Sequence, residues 1–415
     1  MGFLPSAFFY YLVHVPFALW LWVLTASWRR CSVLFLGSSA PWKDWERWSP
    51  ARLCRRGRRH GWCKAIGPRE CSEASAQRGA VPGLERAKKG LKMLGTVADI
   101  GEIRIGSLVA RDGTRLSYQV IEGEASASGK PAPVMLLCNG LGAPQFRIFT
   151  PIILHFGRRF TYITWDYRGL FGSDRPKSIR RMSVSEHAHD ASEVLKACGK
   201  GFADVLVGWS MGVQVALEFA LLYSECAGRL VLINGAHGHV LHSALQPVVR
   251  LPILHDICRA VIEYAATHPQ ILRTIRRCAL PLIPTAVRFY VWLLGSRMLK
   301  DVHTFGDRFV ESTLTDFLNQ LCENEKCMAT LLWLFQELHA HSVYHLLGCI
   351  EQEALLIAGL FDLLLPAYHM WEMERRMPRA VRVCDKWSSH FTLLEHPEVV
   401  LRHLSAALSR WGLLE

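Results

Sequence analysis

The feature that most constrains this chain is a five-residue turn, Gly208-Trp209-Ser210-Met211-Gly212, between a strand-like and a helix-like segment. An apolar run, Val205-Leu206-Val207, precedes the turn, and a helical pattern from Val213 to Tyr223 follows it. In a sharp strand-to-helix turn of the form Gly-x-Ser-x-Gly, the glycines relieve crowding, so that a strained serine can present its hydroxyl. The pattern therefore predicts that Ser210 is a nucleophile, with a plain glycine turn as the alternative interpretation.

Upstream and downstream of this turn, from Glu102 onward, strand-like and helix-like patterns alternate. Apolar residues alternate with polar ones on both sides of Asp112-Gly113, which predicts a β-hairpin. Continuous apolar runs at 133–138 and 160–165 predict strands buried on both faces, and 187–197 predicts a helix. The order predicts an α/β fold with a mostly parallel central sheet covered by helices.

A glycine-rich loop, Asn139-Gly140-Leu141-Gly142, follows the first of these buried strands. Its glycines would let a backbone N–H face the serine and form an oxyanion hole together with the N–H of Met211. We therefore expect the N–H groups of Leu141 and Met211 to be the oxyanion donors, and Asn139 and Trp209 to contact substrate. A structural glycine turn is the alternative.

The loop from Asp166 to Asp174 follows the next buried strand and is rich in polar residues and glycine. We expect Asp166 and Arg168 to satisfy buried backbone groups and each other, and neither residue to be catalytic.

Taken together, these loops resemble those of the α/β-hydrolase superfamily. The similar motifs are Asn-Gly-Leu-Gly, then Trp-Asp-Tyr-Arg-Gly-x-x-Gly-x-Ser-Asp starting at Trp165, then Gly-Trp-Ser-Met-Gly, and the resemblance extends over roughly residues 100–415. Within the superfamily, the chain resembles the serine ester hydrolases with a helical cap, such as monoacylglycerol lipases and esterases. Many relatives have His-Gly where this chain has Asn139-Gly140; a backbone oxyanion contact would survive this change, but inference of substrate by homology is weakened.

The resemblance implies a triad in the order Ser, acid, His. Asp362 lies three residues past the end of an apolar run at 354–359, where the superfamily places its acid, and His390 follows 28 residues later. We expect His390 to take the proton of Ser210, and Asp362 to hold the imidazole in the required tautomer and stabilise its charged form.

Asp362 and His390 each have an alternative in the sequence. Asp385 is the alternative acid, and His396 is the alternative base. Because His396 would start the closing helix, it is expected to be a surface residue.

The segment 237–350, between the strand after the serine turn and the run at 354–359, is predicted to be an inserted helical cap. Apolar residues recur at helical spacing in the stretches 262–272, 287–294 and 331–338, and prolines at 252, 269, 281 and 284 interrupt the pattern. Such a cap would cover the serine and shape the substrate pocket. The core is then expected at 93–236 and 351–415.

Three residues in the cap, Glu337, His341 and His345, are spaced as on one helix face. This spacing suits metal chelation, but ion pairing or solvation is the preferred interpretation, and no metal site is predicted.

The N-terminal part differs from the rest. Residues 2–28 contain no charged Asp, Glu, Lys or Arg side chain, which fits a transmembrane helix at 1–28 with the catalytic part on the cytoplasmic side. Residues 29–92 are predicted to be a basic linker of low order, or a gene-model artefact if translation starts near Met93, in which case the protein would be soluble and cytoplasmic.

The distribution of charge and the cysteine spacing argue against several classes of partner and site. Of the net charge of +12, residues 1–92 contribute +11 through 16 basic and 5 acidic side chains, so the remainder is nearly neutral. A nucleic-acid partner is therefore not expected. The 13 cysteines include no C-x-x-C pair, so neither a disulfide framework nor a zinc site is expected, and a reducing compartment is the easier interpretation.

The sequence thus predicts a serine hydrolase that needs no cofactor and cleaves a hydrophobic, lipid-like carboxylic ester through an acyl-enzyme. Membrane association through residues 3–28 is a further expectation. The alternatives are a cofactor-free haloperoxidase or acyltransferase that uses the same triad, and a non-catalytic binding protein on the same fold. The acyl chain length, the leaving group and the oligomeric state stay open.

Overall fold

A computed structural model of the 415-residue chain describes residues 100–126, 129–240, 252–298 and 307–414. The predicted transmembrane helix at 1–28 and the predicted linker at 29–92 lie outside the described residues. Within the described ranges, no helix combines the length and the apolar character needed to cross a membrane.

Eight strands form a single sheet in the order β1-β2-β4-β3-β5-β6-β7-β8. The strands are β1 Ile103–Val109, β2 Arg115–Ile121, β3 Val134–Cys138, β4 Thr161–Trp165, β5 Ala203–Trp209, β6 Ala227–Ile233, β7 Ala354–Gly359 and β8 Ala380–Asp385. β2 is antiparallel to both of its neighbours, and the pairs from β4 to β8 are parallel. The predicted hairpin and the predicted mostly parallel sheet are both confirmed.

Eleven α-helices accompany this sheet in the described residues. They are α1 Thr150–Phe156, α2 Val184–Ala197, α3 Met211–Leu222, α4 Pro252–Thr267, α5 Pro269–Ala279, α6 Ile283–Met298, α7 Asp307–Leu321, α8 Glu325–Ala340, α9 Tyr368–Arg376, α10 Thr392–Glu395 and α11 Pro397–Arg410. Helices α4 to α8 all lie between β6 and β7 in the chain, in the interval where the sequence predicts the cap.

The central strands are buried on both faces because helices cover the two sides of the sheet. In β5, Leu206 packs into the core that contains α2, α3 and α9, whereas Val205 and Val207 pack into the core that contains α1 and α11. Successive side chains of a strand point to opposite faces, so a continuous apolar run supplies both cores.

The two chain segments that lead into and out of the cap helices run side by side. Gly238 and Ser342 form an antiparallel bridge, and the Val343 N–H donates to the His237 carbonyl at 2.9 Å. His341 lies next to this bridge, with Nδ1 3.2 Å from Gln214 Oε1 and Nε2 3.1 Å from Glu218 Oε2, both on α3. The base of the cap is therefore tied to the helix that follows Ser210.

The cap helices are divided at Pro269, as the proline pattern indicates: α4 ends at Thr267 and Pro269 starts α5, a position that suits proline. One expectation about the cap helices is wrong. Helix α8 ends at Ala340, so Glu337, His341 and His345 do not share one helix face. Among the described residues, no group of three or more His, Cys, Asp or Glu side chains is arranged to hold a metal ion.

The described residues include both reduced and bonded cysteines. Seven cysteines of the described residues are outside any disulfide, whereas Cys349 is disulfide-bonded. No C-x-x-C spacing points to this bond in the sequence.

Arg168 and Asp166 do not pair with each other, contrary to expectation. The fully buried guanidinium of Arg168 binds both carboxylate oxygens of Asp190 at 2.6 Å and Oδ2 of Asp112 at 2.6 Å. Asp166 instead accepts the N–H of Gly172 at 3.1 Å, and burial raises its pKa to about 7. Arg168 thus joins the hairpin turn to α2, a buried ionic contact whose loss would leave unpaired charge in the interior.

Candidate active site

Ser210 occupies the sharp turn between β5 and α3 that the sequence predicts. Its backbone has φ 56° and ψ −118°, a strained conformation for a residue other than glycine, and its side chain is 8% exposed. A side chain at Gly212 would collide with the Cys138 carbonyl, and one at Gly208 would lie 2.6 Å from the Gly212 carbonyl. The Ser210 N–H donates to the Ile233 carbonyl at 3.0 Å, which holds the turn against β6.

The structure brings the three predicted catalytic residues together. His390 Nε2 lies 2.9 Å from Ser210 Oγ, and His390 Nδ1 lies 2.8 Å from Asp362 Oδ2. Because an ionised carboxylate only accepts hydrogen bonds, Nδ1 carries the ring proton and leaves Nε2 as the acceptor for the serine hydroxyl. All three residues are less than a tenth exposed, so their interactions are weakly screened by water.

Asp362 is held by the backbone of its own loop. Its Oδ1 accepts the N–H groups of Leu364 at 3.0 Å and Leu365 at 2.8 Å. These bonds fold the loop after β7 around the carboxylate, which leaves Oδ2 directed at His390.

Asn234 is a site residue that the sequence analysis missed. It follows β6 with a φ of 46°, is 1% exposed, and its Nδ2 donates to Asp362 Oδ2 at 3.1 Å and to the Ser389 carbonyl at 3.0 Å. One amide therefore holds both the carboxylate and the residue before His390. The only signal in the sequence is a polar residue directly after a buried strand.

Of the two predicted oxyanion donors, Met211 directly follows Ser210, and Leu141 lies in the glycine loop that approaches it. Met211 is the first residue of α3, so its N–H has no acceptor within the helix. Gly140 approaches closely, because a Cβ built there would lie 3.1 Å from Ser210 Cβ and would overlap the Trp209 ring. The next residue, Leu141, is partly buried, and the loop is thus within reach of a group bound to Ser210.

Trp209 and Asn139, the predicted substrate contacts, are each 2% exposed, and each donates a hydrogen bond to protein. Trp209 Nε1 donates to the His390 carbonyl at 3.1 Å, and its ring centroid lies 5.2 Å from that of His390. Asn139 Nδ2 donates to Thr164 Oγ1 at 2.9 Å. Trp209 thus supports the loop that carries His390, and contact of either side chain with substrate stays a prediction.

Asp385 and His396, the alternative acid and base, form a hydrogen-bonded pair with each other. His396 Nδ1 lies 2.5 Å from Asp385 Oδ2, so neither side chain reaches Ser210 through this contact. His396 is 7% exposed, which corrects its expected surface location. Burial alone would raise the pKa of Asp385, but hydrogen bonds from His396 and Ser388 lower it.

A hydrogen-bonded cluster joins cap helix α6 to the loop that carries His390. Tyr290 OH lies 2.5 Å from Ser389 Oγ and donates to Glu395 Oε1 at 3.0 Å. Glu395 Oε2 also accepts the N–H of Ser389 at 2.6 Å, and burial raises the pKa of this carboxyl. The position of α6 is therefore linked to the residue adjacent to His390.

Cap helices α7 and α8 also contact the loop that precedes α1. Gly142 has a φ of 73°, and a Cβ at this position would overlap Leu321 and approach Leu331 Cδ2 at 2.9 Å. Arg147, a few residues later, forms an ion pair with Asp316 at 2.5 Å. Apolar side chains of the cap thus lie directly against the glycine loop beside Ser210.

Comparison with known proteins is consistent with this geometry. A family model described as alpha/beta hydrolase fold matches residues 133–255. Over 108 residues, the chain is 34% identical to a protein named as a carbamate hydrolase, RutD, from Caulobacter segnis; the match covers 25% of this chain and 38% of that protein.

Solved structures share the fold over about three quarters of this chain at low identity. The enol-lactonase of Burkholderia xenovorans LB400 has a TM-score of 0.54 at 19% identity and covers 73% of this chain and 100% of its own. The esterase RhEst1 of Rhodococcus sp. ECU1013 has a TM-score of 0.54 at 18% identity and covers 74% of this chain and 98% of its own. At these identities the similarity establishes the fold.

Proposed function

We propose that this chain, which is a member of the α/β-hydrolase superfamily by fold, is a serine hydrolase that cleaves a carboxylic ester of a hydrophobic, lipid-like molecule. The observation that carries the proposal is the unbroken series of hydrogen bonds from Ser210 Oγ through His390 to Asp362, at 2.9 and 2.8 Å. A nucleophile, a base and a residue that orients the base are the minimum set for acyl transfer through a covalent intermediate.

In the first half of the reaction, Ser210 Oγ attacks the ester carbonyl while His390 Nε2 takes its proton. Asp362 keeps the proton on Nδ1 and stabilises the imidazolium that forms. The carbonyl oxygen gains negative charge, and the N–H groups of Leu141 and Met211 are the proposed donors to it. Loss of one such donor typically costs about 3 kcal/mol in the transition state.

The second half returns the enzyme to its starting state. The imidazolium of His390 gives its proton to the departing alkoxide, which leaves as the alcohol. Water then loses a proton to His390 Nε2 and attacks the acyl-enzyme, and the carboxylic acid is released as Ser210 recovers its hydrogen. No cofactor takes part in either step.

The apolar side chains of the cap helices support the proposal that the substrate is hydrophobic. Leu321 and Leu331 pack against Gly142 beside the nucleophile, and Phe317, Leu318 and Phe335 of the same helices are partly buried apolar side chains. Apolar side chains next to the nucleophile favour an acyl chain because its burial removes apolar surface from water, at about 25 cal/mol per Å².

Active-site labelling tests the nucleophile. A fluorophosphonate probe is expected to label the wild type and Ser224→Ala, an exposed serine outside the site, but not Ser210→Ala. Equal labelling of Ser210→Ala and the wild type would remove Ser210 as the nucleophile.

A substrate series tests the chemical class. Among p-nitrophenyl esters, kcat/KM is expected to rise from acetyl to octanoyl, and the matching octanoyl anilide is expected to be a poorer substrate. A preference for acetyl would contradict the lipid-like substrate, and product analysis with added alcohol or peroxide would reveal acyl transfer or peroxidation.

A further inference from the structure

We infer that Glu395 is a further positioning residue for His390, and that it acts as a neutral carboxylic acid carrying its own proton. The inference rests on the proposed function, because the orientation of His390 affects a reaction only if this residue serves as the base. It is drawn from the contacts that join Glu395, Ser389 and Tyr290.

Three oxygen atoms of this cluster lie within hydrogen-bonding distance of one another. Tyr290 OH is 2.5 Å from Ser389 Oγ and 3.0 Å from Glu395 Oε1, and Ser389 Oγ is 2.5 Å from Glu395 Oε1. Each contact needs one hydrogen, because two oxygen atoms at this distance attract each other only through a hydrogen. The two hydroxyl groups carry one hydrogen each. The third hydrogen therefore belongs to the carboxyl group of Glu395.

A protonated carboxyl group satisfies every contact of the cluster. It is one O–H donor that keeps acceptor capacity on both oxygens, so each of the three oxygens can donate one hydrogen and accept one. The second carboxyl oxygen, Oε2, accepts the N–H of Ser389 at 2.6 Å. An ionised carboxylate would leave one of the three oxygen–oxygen contacts without a hydrogen.

The surroundings of Glu395 also favour the neutral form. Its side chain is 2% exposed, and within the described ranges no Lys or Arg side chain bonds to it. The imidazole of the adjacent His396 is bonded to Asp385. A buried carboxylate without a paired cation is costly, so such a group tends to take up a proton. Burial raises the pKa of this carboxyl, although hydrogen bonds from Ser389 and Tyr290 oppose the shift.

Glu395 fixes the main chain directly before His390. The N–H of Ser389 is held by Glu395, and the carbonyl of Ser389 accepts from Asn234 Nδ2 at 3.0 Å. The peptide groups on both sides of Ser389 are thus held in place. Because the His390 ring must stay 2.9 Å from Ser210 Oγ, a shift of Ser389 would disturb the proton transfer from the serine.

The cluster is complete only while the cap is in place. Tyr290 belongs to cap helix α6, whereas Ser389 and Glu395 follow β8. The Tyr290 ring also makes an edge contact with Phe391, with the centroids 6.1 Å apart. Withdrawal of α6 would remove one of the three oxygens and leave the acid with a single hydroxyl partner. The position of the cap and the orientation of the base are therefore connected through the proton on Glu395.

Infrared spectroscopy on the full chain tests for this proton. In deuterated buffer at neutral pH, the wild type is expected to show a C=O stretching band of a protonated carboxyl that Glu395→Gln lacks. Glu398→Gln changes an exposed glutamate three residues later and should retain the band. Asp166 is unchanged in all three proteins, so the difference between their spectra reports Glu395.

The rate of fluorophosphonate labelling tests the positioning role, because it measures the reactivity of Ser210 without an ester substrate. Glu395→Ala removes three hydrogen-bonding contacts and is expected to lower this rate at least roughly tenfold, whereas Glu398→Ala leaves it unchanged. Glu395→Gln keeps a carbonyl for the Ser389 N–H and supplies N–H donors for the two hydroxyls, so it should label within about twofold of the wild type.

Thermal melting shows whether each variant folds. If Glu395→Ala does not fold, Glu395→Asp takes its place, because its side chain is one methylene shorter and cannot reach all three partners. A similar loss of labelling rate is expected for this variant.

Three results would overturn the inference: no carboxyl band that distinguishes the wild type from Glu395→Gln, labelling of folded Glu395→Ala at the wild-type rate, or equal loss of rate in the Gln and Ala variants. The infrared band does not depend on the nucleophile. Labelling of Ser210→Ala would therefore refute the proposed function while the band still decides the protonation of Glu395. Specific labelling of Ser210 without the band would refute only the inference.

Discussion

Asn234 donates a hydrogen bond to the same oxygen of Asp362, Oδ2, that accepts from the ring of His390. The other hydrogen of that amide binds the Ser389 carbonyl. Asn234 is thus a positioning residue that joins the end of β6, the loop after β7 and the loop after β8 at the point where the triad forms.

Substitution of Asn234 is therefore expected to impair catalysis without unfolding the protein. Asn234→Gly accepts the positive φ but loses the amide, and kcat/KM should fall about 10- to 100-fold, as for a lost hydrogen bond to a charged group. Asn234→Asp places a second carboxylate beside Asp362, which should move the acid limb of the pH profile of kcat/KM upward. Asn319→Asp, the same charge change at an exposed position, is the control, and an unshifted acid limb in Asn234→Asp would contradict the assignment.

The two Asp–His pairs offer a matched test of the acid. Asp362→Asn is expected to reduce kcat by about four orders of magnitude, because an amide favours the wrong tautomer of His390. Asp385→Asn weakens only the contact with His396, so it should lower stability more than activity. Steady-state kinetics and thermal melting of both variants separate these outcomes, and a reversed order of activity loss would assign the acid to Asp385.

Substitution of Gly142 tests the contact between the cap helices and the glycine-rich loop at 139–142. Gly142→Ala introduces a Cβ at a φ of 73° where Leu321 already lies, so kcat/KM is expected to fall at least tenfold with a smaller loss of folding stability. Gly113→Ala has a similar φ of 84° but open space around it, and it should leave kcat/KM unchanged. If Leu321→Ala added to Gly142→Ala restores none of the activity, the backbone strain and not the clash is responsible.

Tyr290 tests whether the cap helps to position His390. Tyr290→Phe removes a hydroxyl bonded to Ser389 and Glu395, and a lost hydrogen bond of about 0.5–1.5 kcal/mol should lower kcat/KM roughly 2- to 10-fold. Tyr264→Phe, on an exposed part of α4, is the control. Identical kinetics for the two variants would show that α6 does not act on His390.

The raised pKa of Asp166 predicts that the free energy of unfolding depends on pH. Its pKa is raised by burial to about 7 in the folded state, above the unfolded value of about 3.9. The folded state therefore binds more protons between these values, so this stabilising contribution is complete at low pH and is lost as pH rises through about 7. The free energy of unfolding of Asp166→Asn relative to wild type should rise by on the order of 3 kcal/mol between about pH 4 and pH 8. Asp174→Asn, half exposed, should show no such slope, and a parallel pH dependence for Asp166→Asn and wild type would disprove the raised pKa.

Prediction from sequence succeeded where the signal is local. The Ser210 turn depends on residues within a few positions, because two glycines must admit neighbouring backbone. Strand β7 was recognisable because it is an unbroken apolar run. Pro269, one of the prolines that interrupt the helical pattern of the cap, starts α5 as such a local signal indicates.

Prediction from the sequence failed for charged side chains that could form ion pairs with more than one residue. Arg168 binds Asp190 and Asp112 instead of Asp166, and His396 is buried against Asp385 instead of lying on the surface. Both outcomes depend on which elements pack together, and this is not encoded in residue spacing.

The amino-acid sequence by itself determined the strand and helix periods, the strained serine turn and the order in which the loops follow the strands. These properties follow from steric limits and side-chain periodicity over a few residues. Only the tertiary structure decided that Ser210, Asp362 and His390 converge, that Asn234 bonds two of their loops, and that Trp209 faces inward. Those contacts join residues 28 to 181 positions apart, and only the lateral order of strands in the sheet brings such residues within hydrogen-bonding distance.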